Sequence, residues 1–330
     1  FGRRCCVRHD RAESAATRDA RENTDVHLAS MAAPRCQTCI EAVEDHRLAS
    51  KLRLIECWQD GLMETVDHTA VELAGLLRSR ELSARDVLIA HLERIDQVNP
   101  QINAIVSMRD RADVLADADA ADAQEPMGPL HGLPVAVKDL EDVSGLPTRA
   151  GSLVTSTRPA AADGFIAAQL RAAGAIIIGK TNTPEFGTGS HTFNEVFGVT
   201  RNPWDPSKSA GGSSGGAAAA LASRMLPIAD GSDLGGSLRN PAAFCNVVGL
   251  RPTIGRVALS AATSTSTHLM RLSMRGPMGR TVADTALLLS VLAGPQADDP
   301  LSLADEPATF SAPLSTTTSA RLAWGGDLGL

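Results

Sequence analysis

From Thr69 onward, hydrophobic positions fall into short blocks that alternate between helical and extended spacing. Val71, Leu73, Leu76 and Leu77 predict a short amphipathic helix. Ser83-Ala84-Arg85-Asp86 resembles a capping box with aspartate in the usual Glu/Gln position. The helix after it carries Val87, Leu88, His91, Leu92 and Ile95 on one face and is expected to stop near Asn99-Pro100. An alanine- and aspartate-rich helix is expected over 111–123. Residues 132–138 read as a buried strand, 164–173 as a helix, and 175–179, with three consecutive isoleucines, as a second strand. Residues 217–223 form a helix, 226–229 are a short apolar segment leading into a loop, and 281–292 are an amphipathic helix ended by Gly294-Pro295. Helices alternating with short buried strands predict an α/β fold, a sheet covered by helices.

The two ends read differently. Residues 1–62 mix arginine with acids, hold five of the six cysteines and keep no sustained period. Met63 opens the periodic part, so the expected organisation is a non-domain extension or leader over 1–62 and one domain over 63–330. The Ala/Ser/Thr/Pro-rich stretch at 304–319 reads as a surface linker. Residues 321–324 then look like a new strand shortly before Leu330, so the domain is expected to be incomplete at its C-terminal end.

With 43% hydrophobic residues and a net charge of -7, the chain fits a globular protein and not a sequence-independent nucleic-acid binder. It has no run of about 18 apolar residues, so no membrane helix is predicted. It also lacks the apolar stretch of a secretory signal, and a cytoplasmic location is expected. Cys36-Gln37-Thr38-Cys39 has the spacing of half a zinc site, but nothing nearby completes it; no metal is expected. Cys245, in an apolar stretch, reads as a small core residue.

Candidate chemistry lies in two glycine-rich segments. Ser213 sits in Gly211-Gly212-Ser213-Ser214-Gly215-Gly216, and Ser237 closes Gly231-Ser232-Asp233-Leu234-Gly235-Gly236-Ser237. Lys138 ends the apolar strand; it is one of four lysines among 31 basic residues. A serine hydroxyl is a poor nucleophile until a base takes its proton. A lysine whose pKa is lowered by burial can be that base, and glycine-rich backbone can aim N–H groups at an oxyanion. Each segment alone also reads as an ordinary turn. The first lacks both the P-loop and the dinucleotide spacing. Lys138 reads equally as a salt-bridge partner of Asp139 or a strand end reaching water. His131 and His191 lack the setting of a catalytic base and read as structural.

Taken together, the motifs resemble the amidase signature family. They are Gly132-Leu-Pro-Val-Ala-Val-Lys138-Asp139, Gly179-Lys-Thr-Asn-Thr-Pro-Glu-Phe-Gly187, Gly211-Gly-Ser-Ser-Gly-Gly216, Gly231-Ser-Asp-Leu-Gly-Gly-Ser-Leu-Arg239, Gly249-Leu-Arg-Pro-Thr-Ile-Gly-Arg256 and Gly276-Pro-Met-Gly-Arg-Thr-Val-Ala-Asp284. The likeness runs from about residue 69 to the end. It implies a mixed β-sheet core with helices on both faces. It assigns Ser237 as nucleophile, Ser213 as bridging serine behind a cis Gly212–Ser213 peptide, and Lys138 as base. The N–H groups of Leu234, Gly235, Gly236 and Ser237 would form the oxyanion hole, with Ser214, Asp233 and Arg239 in support. The implied activity is hydrolysis of a small-molecule carboxylic amide through an acyl-enzyme, without metal or organic cofactor, and without a nucleic-acid or membrane partner; a homo-oligomer is compatible with it. Two alternatives remain: a glutaminase-type subunit of a tRNA-dependent amidotransferase, and an inactive truncated fragment. Gly279, where many relatives carry alanine, Leu238, where isoleucine is common, and the less typical stretch 264–275 depart from the family pattern.

Overall fold

The computed structural model of the chain describes residues 65–259, 272–297 and 299–311. The extension at 1–62, the Cys36–Cys39 segment and the strand expected at 321–324 lie outside the described residues.

Helix α1 (Ala70–Arg78) begins at a complete capping box: the Thr69 hydroxyl accepts from Glu72 N–H, and the Glu72 carboxylate accepts from Thr69 N–H. Its buried stripe is Ala70, Leu73, Ala74 and Leu77. Val71 falls to the side of that stripe and is 43% exposed, although its spacing had placed it on the apolar face. Helix α2 (Ala84–Ile102) starts at Ser83, whose hydroxyl accepts from Asp86 N–H, and buries the predicted face. It does not stop at Asn99-Pro100. Pro100 is exposed in the last turns, and the chain leaves the helix at Asn103 with φ 55°. Asn99 organises that exit, its Oδ1 accepting the N–H groups of Ala104 and Ile105 at 2.9 and 3.0 Å. Pro100 removes only the helical bond to the carbonyl of Asp96, an exposed residue of the last turns.

Helix α3 (Arg111–Asp122) packs on α2. Strand β1 (Pro134–Lys138) is buried at every position. It pairs in parallel with the equally buried β2 (Ile176–Thr181), and helix α4 (Phe165–Ala172) lies between them in sequence. A short hairpin follows, β3 (Phe193–Asn194) with β4 (Gly198–Val199). Helix α5 (Gly215–Ala222) runs into β5 (Ile228–Asp233). Helix α6 (Arg239–Cys245), β6 (Val248–Gly249), β7 (Met274–Gly279) and helix α7 (Val282–Leu292) complete the set. β7 lies between β5 and β6, antiparallel to both, and β1 packs beside β5, so parallel and antiparallel strands share one core. Helices cover both faces: α5 rests on β1, β2 and β5, and α7 rests on β7 with α1 and α4 beside it.

The Asp284 carboxylate links α7 to α1 by accepting Val71 N–H, and it also closes the Thr281 capping box. A Cβ at Gly279 would come within 2.7 Å of the Asp284 Cβ, which accounts for glycine there. Part of the expected surface linker is docked instead: Pro307–Phe310 packs on α7, and the Arg256 guanidinium sits 5.0 Å from the Phe310 ring centroid. Residues 312–319 lie outside the described set. Among the described residues no helix is long and apolar enough to cross a membrane.

His91 is fully buried on α2, its Nδ1 donating to Met225 O at 3.2 Å. Burial, with Arg280 nearby, pushes its pKa down to about 4. The unfolded chain therefore binds the extra proton first, and stability is lost as pH falls from about 6.5 toward 4. The expected loss is about 3 kcal/mol. Urea unfolding at pH 7 and pH 4.5 measures it. His91→Gln should show a shallower dependence; a slope equal to the wild type would place the acid sensitivity elsewhere.

Candidate active site

Lys138 ends β1 with its side chain 1% exposed. Its Nζ lies 2.8 Å from Ser213 Oγ, 2.9 Å from Ser214 Oγ and 3.0 Å from Ser232 Oγ. Burial takes the amine down to about 7, against the opposing pull of Asp230 and Glu141. A neutral amine has two N–H donors and one lone pair. Three surrounding hydroxyls suit it, two accepting and one donating. The Ser214 hydroxyl is engaged with the Ser232 backbone, donating to its carbonyl at 3.4 Å and accepting its N–H at 3.3 Å.

Ser213 and Ser214 stand at the entry to α5, and the Gly212–Ser213 peptide is cis. The glycines here serve close packing: a Cβ on Gly216 would run into the backbone of Asn182 and Ala104, and the Gly216 N–H donates to Asn182 O.

Ser237 is half-buried in the turn between β5 and α6. Its carbonyl accepts Ser214 N–H at 3.1 Å, so the two serine-bearing segments are tied directly to each other. Asp233 shapes the turn. Its carboxylate accepts the N–H groups of Gly236 at 2.8 Å and Leu238 at 3.1 Å, together with the Arg239 guanidinium at 2.9 and 3.0 Å. Burial alone would raise this carboxyl; the Arg239 side chain and the N–H groups of Leu238, Gly236 and Arg239 bring it down to about 2. Gly236 has φ 129°, a conformation that favours glycine, whereas Gly235 keeps an ordinary φ. Among the described residues the N–H groups of Leu234, Gly235 and Ser237 have no backbone partner, while that of Gly236 is held by Asp233. The available donors thus differ by one from the four expected.

The remaining expectations have mixed outcomes. Asp139 is not the partner of Lys138: it pairs with Lys180 at 3.1 Å, both side chains fully buried. His131 is structural, its Nε2 within 3.1 Å of Ala121 O, and His191 Nδ1 lies 2.8 Å from Ser209 Oγ. Cys245 is buried, and burial pushes its thiol up to about 12. Ser232 and Asp230 were missed. The apolar segment at 226–229 was expected to open a loop, yet the strand continues to Asp233. With side chains alternating along it, Ile228, Asp230 and Ser232 share a face; reading 231–237 as loop concealed that period of two. Among the described residues no group of three or more His, Cys, Asp or Glu side chains is placed to hold a metal ion.

This arrangement of strands and helices is that of amidase-signature enzymes. A bacterial aryl acylamidase of that class superimposes with a TM-score of 0.68 at 35% identity, covering 72% of this chain and 50% of that one. The family model Amidase matches residues 86–323. An acylamidase of Rhodococcus erythropolis is 43% identical over 267 residues, 79% of this chain and 55% of its own length. A glutamyl-tRNA(Gln) amidotransferase subunit of Chromohalobacter salexigens is 42% identical over 254 residues, 76% of this chain and 51% of its own. The chain belongs to the amidase signature family. It spans about half the length of the curated relatives it matches.

Proposed function

We propose that this protein is an amidohydrolase that cleaves a carboxylic amide through Lys138, Ser213 and Ser237. The observation that carries the reading is the buried Lys138 amine 2.8 Å from Ser213 Oγ, in a segment bonded to the Ser237-bearing turn. Neutral Lys138 accepts the Ser213 hydroxyl proton as Ser213 takes the proton of Ser237. The Ser237 oxygen then attacks the amide carbonyl, and the developing oxyanion is held by the N–H groups of Leu234, Gly235 and Ser237. The relay returns the proton to the leaving nitrogen as the C–N bond breaks. Water enters by the reverse route, splits the Ser237 ester and restores the hydroxyl. Asp233 and Arg239 hold the turn, and Ser214 fixes the amine.

A fluorophosphonate probe tests the reading, because it labels only an activated serine. Labelling at Ser237, lost in Lys138→Met, is the expected result; an unlabelled wild-type protein would mark an inactive fragment. The amidotransferase relatives favour a second reading, a glutaminase-type subunit that passes ammonia to a partner. Glutamine-specific turnover together with stable co-purification of a second protein would select it. Turnover of simple acyl amides by the chain alone selects the first.

A further inference from the structure

Asp230, 2% exposed on β5, has no part in the relay described above. It lies on the strand face that carries Ser232. Its Oδ1 accepts the backbone N–H of Lys138 at 2.9 Å, and its Oδ2 has no hydrogen-bond partner. An asparagine would accept that N–H equally well without desolvating a charge, so the hydrogen bond alone does not account for a carboxylate at this position. The charged groups facing it are Lys138 on β1, Glu141 just beyond β1 and Lys180 on β2; Lys138 itself also faces Arg275 on β7 and Asp233 at the end of β5. Glu141 is paired with Arg275 at 2.6 Å, Lys180 with Asp139 at 3.1 Å and Asp233 with Arg239 at 2.9 Å. Among the described residues, Asp230 is the carboxylate of this group without an ion pair.

We propose that Asp230 is a positioning residue for the relay: it anchors the end of β1 through the Lys138 N–H, and its negative charge sets how readily the Lys138 amine takes the relay proton. This rests on the relay of the preceding subsection. Burial draws the Lys138 amine down, and a base that must also return its proton works best when poised near the working pH. A nearby carboxylate opposes the effect of burial by favouring the charged amine. Burial pushes Asp230 itself up to about 6, while the Lys138 N–H and the positive charges of Lys138 and Lys180 favour its ionised form.

Asp230→Asn keeps the acceptor and removes the charge. The acid limb of its kcat/KM profile is expected to move to lower pH by about half a unit or more. A limb superposing on the wild type overturns the proposal. A second measurement requires no Asp230 variant. Coupling between two titrating groups is reciprocal, so the Asp230 13Cγ resonance should titrate at higher pH in Lys138→Met than in the wild type. Equal midpoints overturn the proposal. Failure of the relay itself reads differently: Lys138→Met would then keep its turnover, whatever the carboxyl midpoints show.

Discussion

Ser237→Ala is expected to lower kcat for amide hydrolysis by about 10³-fold or more, with Lys138→Met falling equally far and both variants folded. The side chains of the proposed relay depend on one another. Ser237 cannot attack while it holds its proton. In the proposed relay Ser213 passes that proton on only if the next group accepts it, and Lys138 Nζ lies 2.8 Å from Ser213 Oγ. Groups that act as one unit lose their effect together, so the double variant should be little worse than either single one. Methionine is the informative replacement at 138 because it fills the buried site without the amine. The pH profile supplies an independent check. With Lys138 drawn down to about 7, kcat/KM should fall about tenfold per pH unit below that point and level off above it. Steady-state kinetics with circular dichroism on each variant decides the matter. Either variant within tenfold of wild-type kcat would remove its residue from the relay.

Much of this was legible in the chain, for identifiable reasons. Continuous apolar runs marked β1 and β2 because strands buried on both faces need no alternation. Lys138 stood out as a charge at the end of such a run. The helix at 282–292 announced itself through its hydrophobic spacing and the Gly294-Pro295 stop, whereas the Thr281 capping box emerged only with the fold. Two features were hidden. The end of α2 was misplaced because proline usually stops a helix, and the Asn99 side-chain bonds that fix the exit at Asn103 instead reach backbone folded beyond it. The polar face of β5 was hidden because glycine and serine signal turns, and only the pairing with β7 makes 231–233 a strand. That oversight concealed Ser232 and Asp230, the two groups through which β5 reaches Lys138. The buried Asp139–Lys180 pair was hidden for a different reason: Asp139 follows the end of β1 and Lys180 lies on β2, and only the parallel register of those strands brings them together.

Asp233→Asn is expected to lower kcat by about 10²-fold while leaving KM within a few-fold, because it unfastens the turn that aims the backbone donors. The carboxylate accepts from Gly236 N–H, Leu238 N–H and the Arg239 guanidinium at once. Asparagine offers one acceptor oxygen and turns an NH₂ toward groups that are themselves donors, so at least one of these contacts becomes a clash of donors. Gly236, held at φ 129°, then has less to keep it there, and the N–H groups on either side lose their common direction. The stability consequence has a definite sign. The folded carboxyl lies near 2 and the unfolded one near 4, so the stabilisation is present at neutral pH and is lost as pH falls through that window. Since the Arg239 side chain is more than half exposed, solvent weakens the pair, and the variant should lose about 1–2 kcal/mol at pH 7. Urea midpoints of the two proteins should therefore draw together as pH falls from about 4 toward 2. A variant that loses this stability yet keeps wild-type kcat would show that Asp233 only braces the turn. The oxyanion donors would then have to be held by the strand and helix on either side of it.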